Sequence, residues 1–166
     1  MDKSLEKLYG NKVRTRVCGI CADDKGRLLV VNMKGISSDL EENQSFFAPV
    51  GGGIEFGEAA TDALKREFLE ETGLKIQIDY FMCVYEYVSL PNRIHAIELF
   101  FAVRAIGGIL KTGFDPEHGT NQIITSVDYL DYSKILELPF QQRHGIFKYA
   151  ASIENLKKLR GYIKVS

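Results

Sequence analysis

Apolar and β-branched residues recur in short segments of this chain, and these segments predict β-strands. Val13–Cys21 and Arg27–Met33 are two of them, joined by Asp23-Asp24-Lys25-Gly26, which is typical of a hairpin turn. Further strands are predicted at Phe46–Val50, at Lys75–Val88 as one long or two short strands, at Ile94–Ala105 and at Gln122–Val127. The pattern therefore indicates a sheet that extends over most of the chain.

Three segments between and after these strands have helical spacing. One helix is predicted from about Glu58 to Thr72 and ends at Gly73, since glycine readily adopts the left-handed conformation past a helix end. A short helix is predicted at Tyr129–Leu136, and a longer one at Gln141–Leu159 with a break near Ser152. Helices that flank a mixed sheet would form an α/β/α sandwich. No linker, repeat or low-complexity tract divides the 166 residues, so we expect a single domain, 1–166.

The core-facing side of the first helix is apolar in its first half and acidic in its second. At 100° per residue, Glu67, Glu70 and Glu71 lie within an arc of about 100° that continues the arc of Ala63 and Leu64. Like charges at i,i+4 cost about 0.2–0.5 kcal/mol, and carboxylates in a last turn oppose the helix dipole. A hard divalent cation would turn both penalties into binding energy. The spacing favours a metal site, with a solvated acidic helix end as the alternative.

A glycine-rich turn precedes this helix. Gly51, Gly52 and Gly53 follow Pro49-Val50, and Gly57 stands just before the helix. Consecutive glycines let the backbone approach a ligand closely, and a glycine turn that enters a helix can cradle phosphate. No G-K-[ST] follows, which excludes a Walker-type site, and the spacing does not fit a dinucleotide fingerprint.

This segment resembles the Nudix family. Gly52, five residues, Glu58, seven residues and then Arg66-Glu67-Phe68-Leu69-Glu70-Glu71-Thr72-Gly73-Leu74 match the Nudix box, G-x5-E-x7-R-E-U-x-E-E-x-G-U, in which U is bulky and aliphatic. The one departure is Phe68, where Ile, Leu or Val is usual. The resemblance implies a Nudix-type α/β/α sandwich. It also implies hydrolysis of a nucleoside diphosphate linked to another moiety, with Mg²⁺ or Mn²⁺ as cofactor.

The resemblance also implies roles for individual residues. Glu67, Glu70 and Glu71 would hold the metal, with the carbonyl oxygen of Gly51 as a further ligand. Either Glu67 or Glu70 would act as the general base. Arg66 would orient a ligating carboxylate, because it lies four residues before Glu70 on the helix.

Other candidate contacts lie outside the box. Glu117, in the loop FDPEHGTNQ, could complete the metal shell or act as the base, or it could be a solvated loop acid. Arg14 and Arg16 share one face of the first strand, and Lys34 closes the second strand; all three could bind a substrate phosphate. The two arginines could equally serve solubility at an exposed strand edge.

Composition and charge bear on the binding partners and the cellular location of the protein. With 21 basic and 22 acidic residues, the chain has no electrostatic footprint for duplex nucleic acid or an anionic membrane. No apolar run approaches about 18 residues and the N-terminus lacks a signal-peptide core, so we expect a soluble cytoplasmic protein. Cys18 and Cys21 form a C-x-x-C, but residues three apart in a strand face opposite sides, which favours core cysteines over a zinc or redox site.

Two other functions remain open. A Nudix-fold module could bind or sense nucleotides without turnover, although the intact glutamate set argues against it. An RNA-end hydrolase is disfavoured by the neutral charge. The substrate is expected to be a small nucleoside diphosphate derivative, such as a nucleoside triphosphate or ADP-ribose, selected by the loops Gly35–Ser45, Ser89–Arg93 and Gly107–Asn121. The 12 residues before the first strand could mediate a homodimer.

Overall fold

A mixed sheet runs through the protein, whose structure is a computed structural model that describes residues 10–34, 44–113 and 122–165. Within these residues the sheet has seven strands: β1 (Val13–Cys21), β2 (Leu28–Lys34), β3 (Ser45–Gly53), β4 (Leu74–Ser89), β5 (Ile94–Gly108), β6 (Ile124–Leu130) and β7 (Gly161–Val165). In space they lie in the order β6-β2-β3-β1-β5-β4-β7. The β1–β5 and β4–β7 pairs are parallel, and the other neighbouring pairs are antiparallel.

Short helices and turns accompany the sheet. The described helices are α1 (Ala60–Thr72), α2 (Tyr132–Glu137) and α3 (Ile153–Lys157), with 3₁₀ turns at Phe140–Gln142 and Gly145–Tyr149. Helix α1 ends as predicted at Gly73, which has a φ of 71° and donates its N–H to the carbonyl of Leu69. Within the part of the chain that the structure describes, no helix combines the length and apolar character that crossing a membrane requires.

Two apolar clusters pack separately in the fold. One holds Leu64 and Phe68 of α1 with Val17 and Cys21 of β1. The other brings the C-terminal segments, including Phe147 and Leu156, onto residues such as Cys18 and Ile20 of β1, with further members from β2, β4 and β5. Because neighbouring residues of a strand face opposite sides, the two clusters occupy the two faces of the sheet. A mixed sheet with helical segments on both faces confirms the predicted α/β architecture.

The cysteines behave as core residues. Cys18 and Cys21 belong to different clusters, and both are buried and free, as is Cys83. Burial raises the pKa of the Cys18 thiol well above its usual value, which makes its reactive thiolate form scarce. The interpretation of the C-x-x-C as a pair of core residues is confirmed.

Several predicted boundaries were wrong. Helix α1 begins at Ala60 and not at Glu58, and α2 begins at Tyr132 because Tyr129 pairs with Leu29 inside β6. Strand β3 extends beyond Val50 because the three glycines pair with β1. Strand β7 was not predicted.

The long helix predicted at Gln141–Leu159 does not form. Tertiary hydrogen bonds take backbone groups that a helix would use internally: the Tyr132 hydroxyl lies 3.1 Å from the carbonyl oxygen of Ala150, and the N–H of His144 donates to Phe47 at 2.8 Å. Two 3₁₀ turns and the five-residue α3 replace the helix. Side-chain spacing alone could not reveal these competing partners.

Candidate active site

The glycine run at the end of β3 lies directly against α1. A Cβ atom on Gly52 would lie 2.3 Å from the carboxylate of Glu67, closer than any real contact allows. A Cβ atom on Gly51 would meet the backbone of β1, at 2.0 Å from the carbonyl oxygen of Val17. Because Gly51 and Gly52 have no side chains, β3 can lie close to both β1 and the acidic end of α1.

The three carboxylates of the predicted metal site lie at that end of α1. Glu67 and Glu71 are buried, with only 5% and 4% of their surfaces exposed, whereas the side chain of Glu70 is 28% exposed. Glu71 accepts a hydrogen bond from the N–H of Gly51, with 3.3 Å between N and Oε2. The fully buried Phe68 sits between them in sequence and anchors this face of the helix in the core. The acidic stripe on the core-facing side of α1 is confirmed.

Arg66 connects the acidic cluster to the loop in front of it. Its Nη1 atom lies 2.9 Å from Glu67 Oε1 and 3.1 Å from Glu70 Oε2. Its Nε and Nη2 atoms donate to the two carboxylate oxygens of Glu58, and Nη2 also donates to the carbonyl of Gly53 at 3.0 Å. The hydrogen bonds with Glu58 raise the pKa of Arg66 and lower the pKa of Glu58. A permanently charged guanidinium thus partly neutralises three carboxylates and ties them to the glycine loop.

The donor atoms at this end of α1 are of the type that binds a divalent metal. Across residues 10–34, 44–113 and 122–165, no three His, Cys, Asp or Glu side chains converge on a common metal position. Carboxylates and a main-chain carbonyl are nevertheless the oxygen ligands that Mg²⁺ and Mn²⁺ prefer. Burial of two of the carboxylates makes a nearby positive charge more favourable. The donor set at Gly51, Glu67, Glu70 and Glu71 therefore fits the cation that the sequence predicts.

A second charged network reaches the same loop from the other side. Arg16 Nη1 donates to Glu98 Oε1 at 2.7 Å, and Arg16 Nη2 donates to the carbonyl oxygen of Gly51 at 3.2 Å. The other oxygen of Glu98, Oε2, lies 2.8 Å from Nε2 of His144. Burial alone would raise the pKa of Glu98, but the contact with His144 and the positive charge of Arg16 outweigh it and hold that pKa at about 2. Glu98 is therefore a buried, ionised carboxylate.

The remaining predicted contacts are placed differently. Arg16 donates to Glu98 and to the carbonyl of Gly51, and its predicted phosphate contact stays a prediction. Arg14 is half-buried, and its charge also lowers the pKa of Glu98. Lys34 is exposed and pairs with Ser45, at the opposite end of β3 from the glycine run. The interpretation of the two arginines as residues of an exposed strand edge was wrong, because β1 lies between β3 and β5. Glu117 lies outside the described residues.

Sequence reasoning missed Glu98 and His144. Glu98 stands in the apolar strand Ile94–Ala105, on the same face as Ala96 and Phe100, which are both buried. An acidic residue at an inward-facing strand position is rare unless it is paired, so the alternation pattern could have signalled it. No comparable signal marks His144, because it lies in the segment Gln141–Leu159, where the spacing predicted a helix that does not form.

The sequence and the fold were compared with those of known proteins. A sequence model of the NUDIX domain matches residues 12–149. A NUDIX hydrolase from Nitrosomonas europaea superimposes with a TM-score of 0.67 at 19% identity, covering 90% of this chain and 93% of that chain. A MutT NUDIX hydrolase from Burkholderia pseudomallei gives 0.64 at 18% identity, covering 89% and 98%. At these identities the likeness shows the fold.

A curated relative is more similar in sequence over a shorter region. The ADP-ribose pyrophosphatase of Methanocaldococcus jannaschii is 33% identical over 101 residues, which span 60% of this chain and 60% of that protein. The shared fold and the box helix define a Nudix-type α/β protein. The NUDIX domain model covers most of this chain, and the chain therefore belongs to the NUDIX domain family. The predicted membership of the Nudix hydrolase (MutT-like) family is confirmed.

Proposed function

We propose that this protein is a metal-dependent pyrophosphohydrolase that cleaves a nucleoside diphosphate linked to another moiety. The observation that carries the proposal is the burial of Glu67 and Glu71 beside the half-exposed Glu70, against the glycine run of β3. Buried carboxylates of like charge on one helix face destabilise the folded protein. A bound divalent cation would offset this cost, which is why their presence supports a metal-dependent reaction. The archaeal relative named ADP-ribose pyrophosphatase supports a substrate of this class.

The proposed chemistry follows from the residues present. Glu67, Glu70, Glu71 and the carbonyl of Gly51 would hold Mg²⁺ or Mn²⁺, with Glu117 as a predicted further ligand. When bound, the cation lowers the pKa of a coordinated water and neutralises charge on the phosphate oxygens. Glu67 or Glu70 accepts the proton of the attacking water, and the greater exposure of Glu70 gives it access to solvent.

The surrounding residues hold these groups in place. Arg66 keeps Glu67 and Glu70 oriented through its Nη1 atom, which is the orienting role that the sequence suggested. The phosphate contacts of Arg14, Arg16 and Lys34 stay predictions. A homodimer, a cytoplasmic location, a single-domain organisation and an unlikely nucleic-acid partner stay predictions as well.

The test is hydrolysis of a mixed panel: a nucleoside triphosphate, ADP-ribose, a dinucleoside polyphosphate and a nucleotide sugar, each with Mg²⁺ or Mn²⁺. Glu70→Gln should lower kcat by roughly 10²–10⁴-fold, because it removes a proton acceptor or a ligand charge. Glu154→Gln is the matched control, since Glu154 is an exposed helical glutamate on α3 that pairs with Lys158. EDTA should abolish turnover by the unaltered protein.

Two results would count against the proposal. Turnover that persists in EDTA would exclude the metal requirement. Metal-dependent nucleotide binding without turnover of any panel member would instead support the non-catalytic Nudix-fold module.

A further inference from the structure

We propose that Arg16, Glu98 and His144 form a positioning network that fixes the carbonyl of Gly51 for metal binding, and that His144 is the residue through which the segment 140–149 acts on that carbonyl. This inference rests on the proposed function, because it assumes that the Gly51 carbonyl is a metal ligand. None of the three residues belongs to the Nudix box, and the network extends from the C-terminal 3₁₀ segment to the glycine run.

Arg16 is the end of the network that contacts the loop. Its guanidinium donates to Glu98 through Nη1 and to the carbonyl of Gly51 through Nη2, at 2.7 Å and 3.2 Å. A carbonyl oxygen has two lone pairs, so this bond orients the peptide and still leaves one lone pair for a cation. The planar fork of a guanidinium holds both acceptors in one geometry, which a lysine ammonium cannot do.

Glu98 holds that guanidinium in place. It stands directly opposite Arg16 across the β1–β5 pair, and its side chain is only 3% exposed. The burial of an ionised carboxylate is expensive unless positive partners surround it. Arg16 and His144 approach its two different oxygens, so a change at His144 alters how firmly Glu98 holds Arg16.

His144 completes the network, and its two ring nitrogens have separate tasks. Nδ1 accepts the N–H of Ile146 at 3.1 Å and begins the 3₁₀ turn at Gly145–Tyr149. A neutral imidazole that accepts at Nδ1 carries its proton on Nε2, and Nε2 is the atom that faces Glu98. The Nδ1 contact stabilises the local turn, whereas the Nε2 contact with Glu98 belongs to the positioning network.

The segment that carries His144 is fixed in position by independent contacts. The N–H of His144 donates to the carbonyl of Phe47 on β3, at 2.8 Å. A Cβ atom on Gly145 would lie 2.1 Å from the hydroxyl oxygen of Tyr85, so glycine is required for this close approach. The His144 ring also lies 5.2 Å from the ring of Tyr85 and 5.8 Å from that of Phe100. These contacts keep the imidazole directed at Glu98.

The two tasks of His144 can be separated by substitution. The amide oxygen of an asparagine is placed like Nδ1, so His144→Asn keeps the turn contact and loses the reach to Glu98. The amide nitrogen of a glutamine is placed like Nε2, so His144→Gln keeps a donor towards Glu98 and loses the turn contact. Arg16→Lys is the independent variant, because it keeps the charge and loses the fork.

The measurement is the dissociation constant for Mn²⁺, from the electron paramagnetic resonance signal of free Mn²⁺, in the absence of substrate. His144→Asn and Arg16→Lys should each weaken binding by about tenfold, the size typical of residues that orient metal ligands. His144→Gln should restore the affinity to within about twofold of the unaltered protein. Thermal unfolding identifies the folded variants, and Arg16→Lys decides the test if His144→Asn does not fold.

His95→Asn is the matched control. In the unaltered protein, Nε2 of His95 lies 2.6 Å from Oε1 of Glu86. This second histidine–carboxylate pair connects the neighbouring strands β4 and β5. His95→Asn should leave Mn²⁺ binding unchanged. Equal affinities of His144→Asn and His144→Gln, or a loss in His95→Asn as large as in His144→Asn, would overturn the positioning network.

Failure of the proposed function has a different signature. Glu71→Gln removes one carboxylate charge from the predicted metal site. If the unaltered protein binds no Mn²⁺, or if Glu71→Gln does not weaken binding, the metal site itself is overturned. If Glu71→Gln weakens binding while Arg16→Lys and His144→Asn do not, the metal site stands and only the network is rejected.

Discussion

Two arginines hold the same glycine run from different elements. Arg66 on α1 donates to the carbonyl of Gly53, and Arg16 on β1 donates to the carbonyl of Gly51. Their side chains are almost equally exposed, at 25% and 24%. Each also binds carboxylates, so the two networks are chemically alike.

The networks differ in where their carboxylates lie. Glu98, the carboxylate partner of Arg16, is 3% exposed. Among the partners of Arg66, Glu67 is also buried, at 6%, but Glu58 and Glu70 are 18% and 28% exposed. A buried charge depends on its partner, while solvent can replace the partner of a half-exposed one. We therefore expect the Arg16 network to matter most for stability and the Arg66 network to matter most for catalysis.

The largest effect is expected from Glu98→Ala. It leaves Arg16 facing a partly buried space without its carboxylate, which should lower the free energy of unfolding by about 3–5 kcal/mol. The matched change Glu58→Ala should cost about 1 kcal/mol or less, because water can solvate the freed face of Arg66. Urea unfolding measures both. Equal losses would show that burial does not distinguish the two networks.

Acid should destabilise the protein mainly through Glu98. Its folded pKa of about 2 lies below the ordinary value of 4.5, so its contribution is complete above pH 4.5 and is lost as the pH falls towards 2. A difference of about 2.5 units corresponds to about 3 kcal/mol. Unfolding of Glu98→Gln should depend less steeply on pH in this range than unfolding of the unaltered protein. An unchanged slope would contradict the lowered pKa.

Arg66→Lys should affect turnover more than stability. Lysine keeps the charge but cannot bind Glu58, Glu67 and the Gly53 carbonyl together, so kcat should fall roughly 10–100-fold. Steady-state kinetics on the substrate found in the panel measures this. Arg27→Lys provides the control, because Arg27 forms a comparable pair with Asp23 at the β1–β2 hairpin. A loss of stability without loss of kcat would reverse the assignment of the two networks.

The smallest effect is expected from Gly52→Ala. The added methyl group must displace the Glu67 carboxylate, which is the end of a flexible side chain, so the protein should fold. Mn²⁺ affinity should fall by about tenfold, because one carboxylate loses its position. Gly107→Ala is the control, since a Cβ atom there meets nothing within 4 Å. Unchanged Mn²⁺ affinity in Gly52→Ala would argue against Glu67 as a ligand.

The two networks also differ in how far the sequence could predict them. The carboxylate partners of Arg66 lie within eight residues of it in the chain. Helical periodicity placed Glu67 and Glu70 on one arc and Arg66 four residues before Glu70. The Arg16 network was missed, because a strand pattern gives the face of a residue but not its neighbour in the next strand. The same limitation explains the wrong helix at Gln141–Leu159, whose backbone bonds to distant residues.

The sequence by itself determined the family, the strands β1 to β6, the end of α1 at Gly73 and the acidic stripe beside the glycine run, because each depends on residues close together in the chain. Only the tertiary structure decided that Arg16 binds Glu98, 82 residues away, and Gly51, 35 residues away. The physical reason is strand register. The parallel pairing of β1 with β5 sets Arg16 opposite Glu98, and that pairing forms only when the whole sheet does.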